Sequence, residues 1–105
     1  MRNVTVATSQ MTCSWDIDAN IAQAEALIRA AHAEGAQIIQ LQELFETPYF
    51  CIDQHPEHFA LAQPYAGNTL IAHFAALARE LEVVLPLSFF ERDGNTHYNL
   101  SLIHI

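Results

Sequence analysis

The sequence predicts an α/β domain built on a largely parallel sheet, and three observations carry that prediction. Segments with strand and helix patterns alternate along the chain: strand, helix, strand, long loop, helix, strand. The helical segments keep their apolar residues at a 3.6-residue spacing. The third strand segment, Val83-Val84-Leu85-Pro86-Leu87-Ser88-Phe89-Phe90, is almost continuously apolar, as suits a strand covered on both faces.

Each element has its own signature. Val4 and Val6 supply the alternation of a first strand, which the polar Thr8-Ser9-Gln10 stretch leaves. Asp16 or Asp18 caps a helix whose face is Ile17, Ile21, Ala24, Leu27 or Ile28, and Ala31. Gly35 supplies the left-handed conformation that ends it, and residues 36–41 form the second strand. Residues 44–67 contain three prolines and Gly67 without periodicity, so a long loop is expected, with a short helical turn around Pro56-Glu57-His58-Phe59. Asn68 or Thr69 caps a second helix carrying Leu70, Phe74, Leu77 and Leu81 on one face. Glu82 stands at the helix-to-strand junction where glycine is easiest; a positive φ there costs about 1 kcal/mol. Asp93-Gly94-Asn95 marks a turn, and Thr96-His97-Tyr98-Asn99 begins a fourth strand antiparallel to the third.

Composition narrows the function classes. The 105 residues are 51% hydrophobic and 15% charged, which fits one small globular domain. A formal charge of -8 argues against nucleic acid and anionic membranes as partners and favours a cationic small molecule. No apolar run approaches the ~20 residues that span a bilayer. The amino terminus reads as a strand rather than a signal peptide, so a cytoplasmic location is expected. Two cysteines, Cys13 and Cys51, do not make a disulfide framework.

The candidate chemistry lies in Gln42-Glu43-Leu44-Phe45-Glu46-Thr47-Pro48-Tyr49-Phe50-Cys51. Glu43 follows the apolar run Ile38-Ile39-Gln40-Leu41, and α/β sheets hold their ligands outside the carboxyl ends of the strands. A carboxylate at a strand exit is a candidate proton acceptor; a solvated loop residue is the alternative. Glu46, Asp53 and Glu57 stand in the loop, where an acidic group could hold a distal ammonium, and Tyr49 and Phe50 could wall a pocket or pack the loop onto the sheet. His55 and His58 flank Glu57 without a third suitably spaced ligand, so they read as surface histidines and no metal is expected.

This ten-residue stretch, with Asn3-Val4-Thr5-Val6-Ala7, Gln10-Met11, Gly35-Ala36-Gln37-Ile38-Ile39 and Leu85-Pro86-Leu87-Ser88-Phe89-Phe90-Glu91, resembles the amino-terminal part of the nitrilase superfamily of carbon-nitrogen hydrolases. The resemblance covers residues 2–99. It implies a four-layer α-β-β-α sandwich, a homo-oligomeric full-length protein, no cofactor, and a Glu-Lys-Cys triad in which Glu43 matches the general base. The substrate to which the stretch points is N-carbamoylputrescine, cleaved at its carbamoyl carbon-nitrogen bond to putrescine, carbon dioxide and ammonia in polyamine biosynthesis. Glu46, Tyr49 and Phe50 are the expected substrate-binding residues. Other superfamily substrates, an N-carbamoyl amino acid or an ω-amide, and a non-catalytic α/β interaction module are the alternatives.

Such chemistry needs these groups for a physical reason. Two nitrogens donate into a carbamoyl carbonyl and weaken its electrophilicity, so a thiolate nucleophile is called for. In the superfamily a glutamate takes the thiol proton, and a lysine with nearby N–H groups stabilises the oxyanion, such donors being worth about 3 kcal/mol each. This chain has no lysine, and neither Cys13 nor Cys51 matches the nucleophile. Residues 1–99 therefore read as the amino-terminal portion of the domain, without turnover alone, whose uncovered sheet edges favour aggregation.

Residues 100–105, Leu-Ser-Leu-Ile-His-Ile, depart from the small and aliphatic residues that follow the Tyr-Asn pair in the superfamily. The codons CTG-TCT-CTT-ATA-CAC-ATC encode the same six residues and are the mosaic end of transposon-based sequencing libraries. A non-native, adapter-encoded tail is expected; native genomic sequence running through those codons would contradict it.

Overall fold

A computed structural model describes all 105 residues. Its elements run β1 (Val6–Thr8), α1 (Ile17–Ala33), β2 (Ile38–Gln40), two 3-10 turns (Phe50–Ile52 and Pro56–Leu61), α2 (Thr69–Leu81), β3 (Leu85–Asp93) and β4 (Thr96–His104). β1 pairs with β2 in parallel, Val6 opposite Ile38, and β3 pairs with β4 antiparallel, Phe90 opposite Asn99. A parallel bridge between Ile38 and Val84 joins the two pairs, through Ile39 N to Val84 O at 3.0 Å and Val84 N to Gln37 O at 2.9 Å. The strands thus lie in the order 1-2-3-4, the first three parallel.

The helix ends follow from the residues that occupy them. Asp16 caps α1, its carboxylate accepting from Ala19 N at 3.1 Å. At the other end Gly35 has φ +92°, and the N–H groups of Gly35 and Ala36 reach back to His32 and Ala31. That is a Schellman closure. Asn68 caps α2 through Leu70 N and Ile71 N, and Glu82 takes the left-handed position at φ 53° as its place in the sequence suggested. Val83 N then closes onto Ala78 O at 3.1 Å.

Both helices cover one face of the sheet, and Arg29 of α1 bridges to Glu80 of α2 at 2.5 Å on their solvent side. Beneath them a core of 15 buried residues joins Ala24 and Ile28 of α1, Phe74 and Leu77 of α2, and Leu85, Leu87 and Phe89 of β3. Phe45 enters this core from the loop and meets Phe74 edge to face, ring centroids 5.4 Å apart. Burying each such ring contributes about 1.5–3 kcal/mol.

Val4 and Val6 are 50% and 60% exposed, and Ala7 is the β1 residue that packs against the core. The helical turn expected around Pro56–Phe59 forms as the 3-10 turn Pro56–Leu61, and the rest of the long loop is tied to the sheet. Gln63 bridges to β3 through Phe90 O and Arg92 N, and a first 3-10 turn buries Phe50 against Phe90. β3 begins at Leu85 rather than Val83 and runs on to Asp93, because Glu91, Arg92 and Asp93 pair with Tyr98, His97 and Thr96 and extend it past the apolar run. Leu100 to His104 complete β4 opposite Phe89 to Leu85.

Candidate active site

Two strand exits build the site. Ser9 N donates to Gln40 O at 3.0 Å, so β1 and β2 end side by side. Beyond them Gln42 ties the exits together, its Oε1 accepting from Met11 N at 2.7 Å and its Nε2 donating to Cys13 Sγ at 3.3 Å. Cys13 in turn donates to Phe45 O at 3.2 Å. Burial pushes the Cys13 thiol up from its ordinary value, which suits a neutral bridging group better than a nucleophile.

Glu43 projects from this knot into an open cleft of about 490 Å³ lined by Gln10, Gln42, Tyr49 and the end of β1. No arginine lines it, and the chain has no lysine. The Glu43 carboxylate is solvent-exposed, and its Oε1 accepts from Asn99 Nδ2 on β4. Its second oxygen carries no hydrogen bond within the chain and is free to accept a proton. Tyr49 lines the same cleft, and negative charge on Cys51 and then the Glu43 carboxylate hold its phenol above the ordinary value.

The backbone behind Glu43 is strained. Leu44 has φ +50°, in the left-handed region that costs a branched side chain about 1–2 kcal/mol. Two interactions hold it there: Leu44 N donates to the buried Ser88 hydroxyl at 2.9 Å, and the Leu44 side chain is 4% exposed. Further along, Asn20 of α1 donates to Glu46 O at 2.9 Å and to Ser14 O at 2.6 Å, clamping the loop to the helix.

Of the four site residues named from the sequence, Glu43 and Tyr49 share the cleft. Glu46 and Phe50 line a different cavity, of about 370 Å³, with Thr47, Gln63 and Asn68. Burial alone raises the Glu46 carboxyl. Phe50 packs on Phe90 at 5.1 Å between ring centroids and is 8% exposed, as a residue holding the loop to the sheet would be. His58 is not a free surface group: it stacks on Trp15 at 5.7 Å and lies 3.4 Å from Asp53. No three His, Cys, Asp or Glu side chains converge in a geometry that could hold a metal.

Sequence reasoning passed over Asn20, Ser88 and Asn99. The first two carried a signal, since each is a polar residue on an otherwise apolar face and buried polar groups need partners.

A strand-exit carboxylate on a sheet with two helices on one face defines a class, and comparison with known proteins gives it a family. The chain belongs to the carbon-nitrogen hydrolase family, whose pattern matches residues 5–104. It is 53% identical over 98 residues to an N-carbamoylputrescine amidase of Solanum tuberosum, covering 93% of this chain and 33% of that protein. A citrullinase of Francisella tularensis is 38% identical over 99 residues, 94% of this chain and 35% of that protein. Among solved structures, a carbon-nitrogen hydrolase from Helicobacter pylori superposes with a TM-score of 0.84 at 26% identity, over 95% of this chain and 35% of that one. The chain thus spans about a third of the length of the relatives it matches. No helix is long and apolar enough to cross a membrane.

Proposed function

We propose that this chain supplies the general base of a thiol amidohydrolase that cleaves the carbamoyl carbon-nitrogen bond of N-carbamoylputrescine. The 53% identity to the Solanum tuberosum N-carbamoylputrescine amidase across nearly the whole chain carries this reading. The Glu43 cleft supports it, because its free carboxylate oxygen can take the proton of an attacking thiol.

In the reaction a cysteine thiolate attacks the carbamoyl carbon, and Glu43 receives the thiol proton. Collapse of the tetrahedral intermediate expels an amine, to which Glu43 returns that proton. Water, deprotonated by the same carboxylate, then hydrolyses the carbamoyl thioester and restores the thiol, and the carbamic acid so formed loses carbon dioxide to release the second amine. One water is consumed, and putrescine, carbon dioxide and ammonia are released. The nucleophilic cysteine and the oxyanion-stabilising lysine belong, in this proposal, to the two-thirds of the relatives' length that the 105 residues do not match.

A second reading keeps the chemistry and changes the substrate: citrulline also ends in a ureido group, and the citrullinase is 38% identical. The acidic balance of the chain, a formal charge of -8, favours the first, a cationic substrate, over an amino acid with its own carboxylate. Ammonia release by the full reading frame, measured with N-carbamoylputrescine, citrulline and an N-carbamoyl amino acid, decides between them. The first substrate is expected to have the highest kcat/KM. A preference for citrulline would replace the reading with the second.

A further inference from the structure

The Glu43 carboxylate is the one charged group in its cleft, it is exposed, and it sits on a turn rather than on a strand. An exposed glutamate on a turn samples several rotamers, and a general base must be held within a fraction of an ångström of its working position. The hydrogen bond from Asn99 reaches the carboxylate from 56 residues away in sequence. Asn99 is fixed by its place in β4, directly opposite Phe90, with Tyr98, His97 and Thr96 paired to Glu91, Arg92 and Asp93 beside it.

The alternation of side chains along paired strands puts Ser88, Phe90 and Asn99 on one face of the hairpin, because Ser88 and Phe90 are two apart on β3 and Phe90 is opposite Asn99. Two members of that face grip the same turn. Ser88 holds the backbone one residue after Glu43, and Asn99 holds the carboxylate itself. The chemical type of the donor matters. A lysine or arginine in its place would neutralise the carboxylate, whereas a carboxamide orients it and leaves its charge intact. With Oε1 engaged, Oε2 is the oxygen presented to the cleft.

We propose that Asn99 is a positioning residue for Glu43, selecting the carboxylate rotamer and the oxygen that carries the proton. The inference rests on the reading of Glu43 as the general base. It is tested in the full reading frame with Asn99→Ala, the near-isosteric Asn99→Asp, Asn99→Gln and Glu43→Gln, reading kcat, KM and the thermal midpoint of each.

Asn99→Ala and Asn99→Asp are expected to lower kcat by about 100-fold with KM and midpoint unchanged. Asn99→Gln, which keeps a carboxamide donor, is expected to recover part of the loss. Adding Asn99→Ala to Glu43→Gln is expected to cost nothing further, since the group being positioned is gone. Full kcat in Asn99→Ala beside an inactive Glu43→Gln overturns the inference and leaves the base assignment standing. A loss of kcat that appears only with a fall in midpoint makes Asn99 structural and also overturns it. Full activity in Glu43→Gln removes the reading on which the inference rests.

Discussion

Leu44 N donates to the buried hydroxyl of Ser88 at 2.9 Å, and the residue so held is the left-handed one that follows Glu43. Replacing Ser88 by alanine leaves a buried N–H without a partner, at a cost of about 1–3 kcal/mol. Leu44→Gly does not relieve the turn at a profit. It recovers about 1–2 kcal/mol of backbone strain and forfeits a buried leucine, a loss of about 2–5 kcal/mol even when alanine is the replacement. Both variants of the full reading frame are therefore expected to melt earlier than wild type by differential scanning fluorimetry, and an unchanged midpoint in Ser88→Ala would contradict the account of this turn.

The two cysteines differ in kind. Cys13 is partly buried, donates to Phe45 O and accepts from Gln42, whereas Cys51 is exposed. Only a thiolate alkylates, and burial disfavours the thiolate of Cys13. Iodoacetamide at neutral pH is expected to label Cys51 first, as read by peptide mass spectrometry. Labelling of Cys13 ahead of Cys51 would contradict the bridging role assigned to it.

Glu46 gives stability a pH dependence of definite sign. Burial raises its carboxyl above the ordinary glutamate range, so the folded state holds the proton more tightly than the unfolded state does. Its contribution is most favourable below the ordinary glutamate range and is lost as the pH rises through the raised value. Glu46→Gln removes this dependence. The variant is expected to melt higher than wild type at pH 7.5, with the gap closing near pH 4; a variant that melts lower at pH 7.5 would show that the ionised carboxylate is stabilising.

The 105-residue chain alone leaves much apolar surface open. Val4, Val6, Tyr98 and Ile103 are each 45% exposed or more, and β1 and β4 are both edge strands. Such edges and faces pair with other chains. Sedimentation velocity at micromolar concentration is expected to show self-association of this chain, and a clean monomer with a cooperative thermal transition would refute that.

How far the sequence disclosed this arrangement depends on the range of the interaction concerned. The helix starts, narrowed to Asp16 or Asp18 and Asn68 or Thr69, the closures at Gly35 and Glu82, and the succession of elements along the chain follow from local chemistry and were legible. Glu43 stood out because the apolar run before it marks a strand end. The grouping of its neighbours was not legible. Glu46 and Phe50 are three and seven residues from Glu43 in sequence, yet the left-handed Leu44 and the buried Phe45 turn the chain so that both line another cavity. The Asp93-Gly94-Asn95 turn sets the β3–β4 register, but that this hairpin brings Asn99 to the exit of β2, 56 residues from Glu43, is a long-range contact that no local pattern encodes.

The most direct test of the account is the activity of Glu43→Gln in the full reading frame, measured as ammonia released from N-carbamoylputrescine. Amide for carboxylate keeps shape and hydrogen-bonding capacity while abolishing the proton acceptor. A fall in kcat of at least about 10²- to 10⁴-fold, with the thermal midpoint unchanged, is the predicted result. A variant as active as wild type would contradict the assignment of Glu43 as the general base.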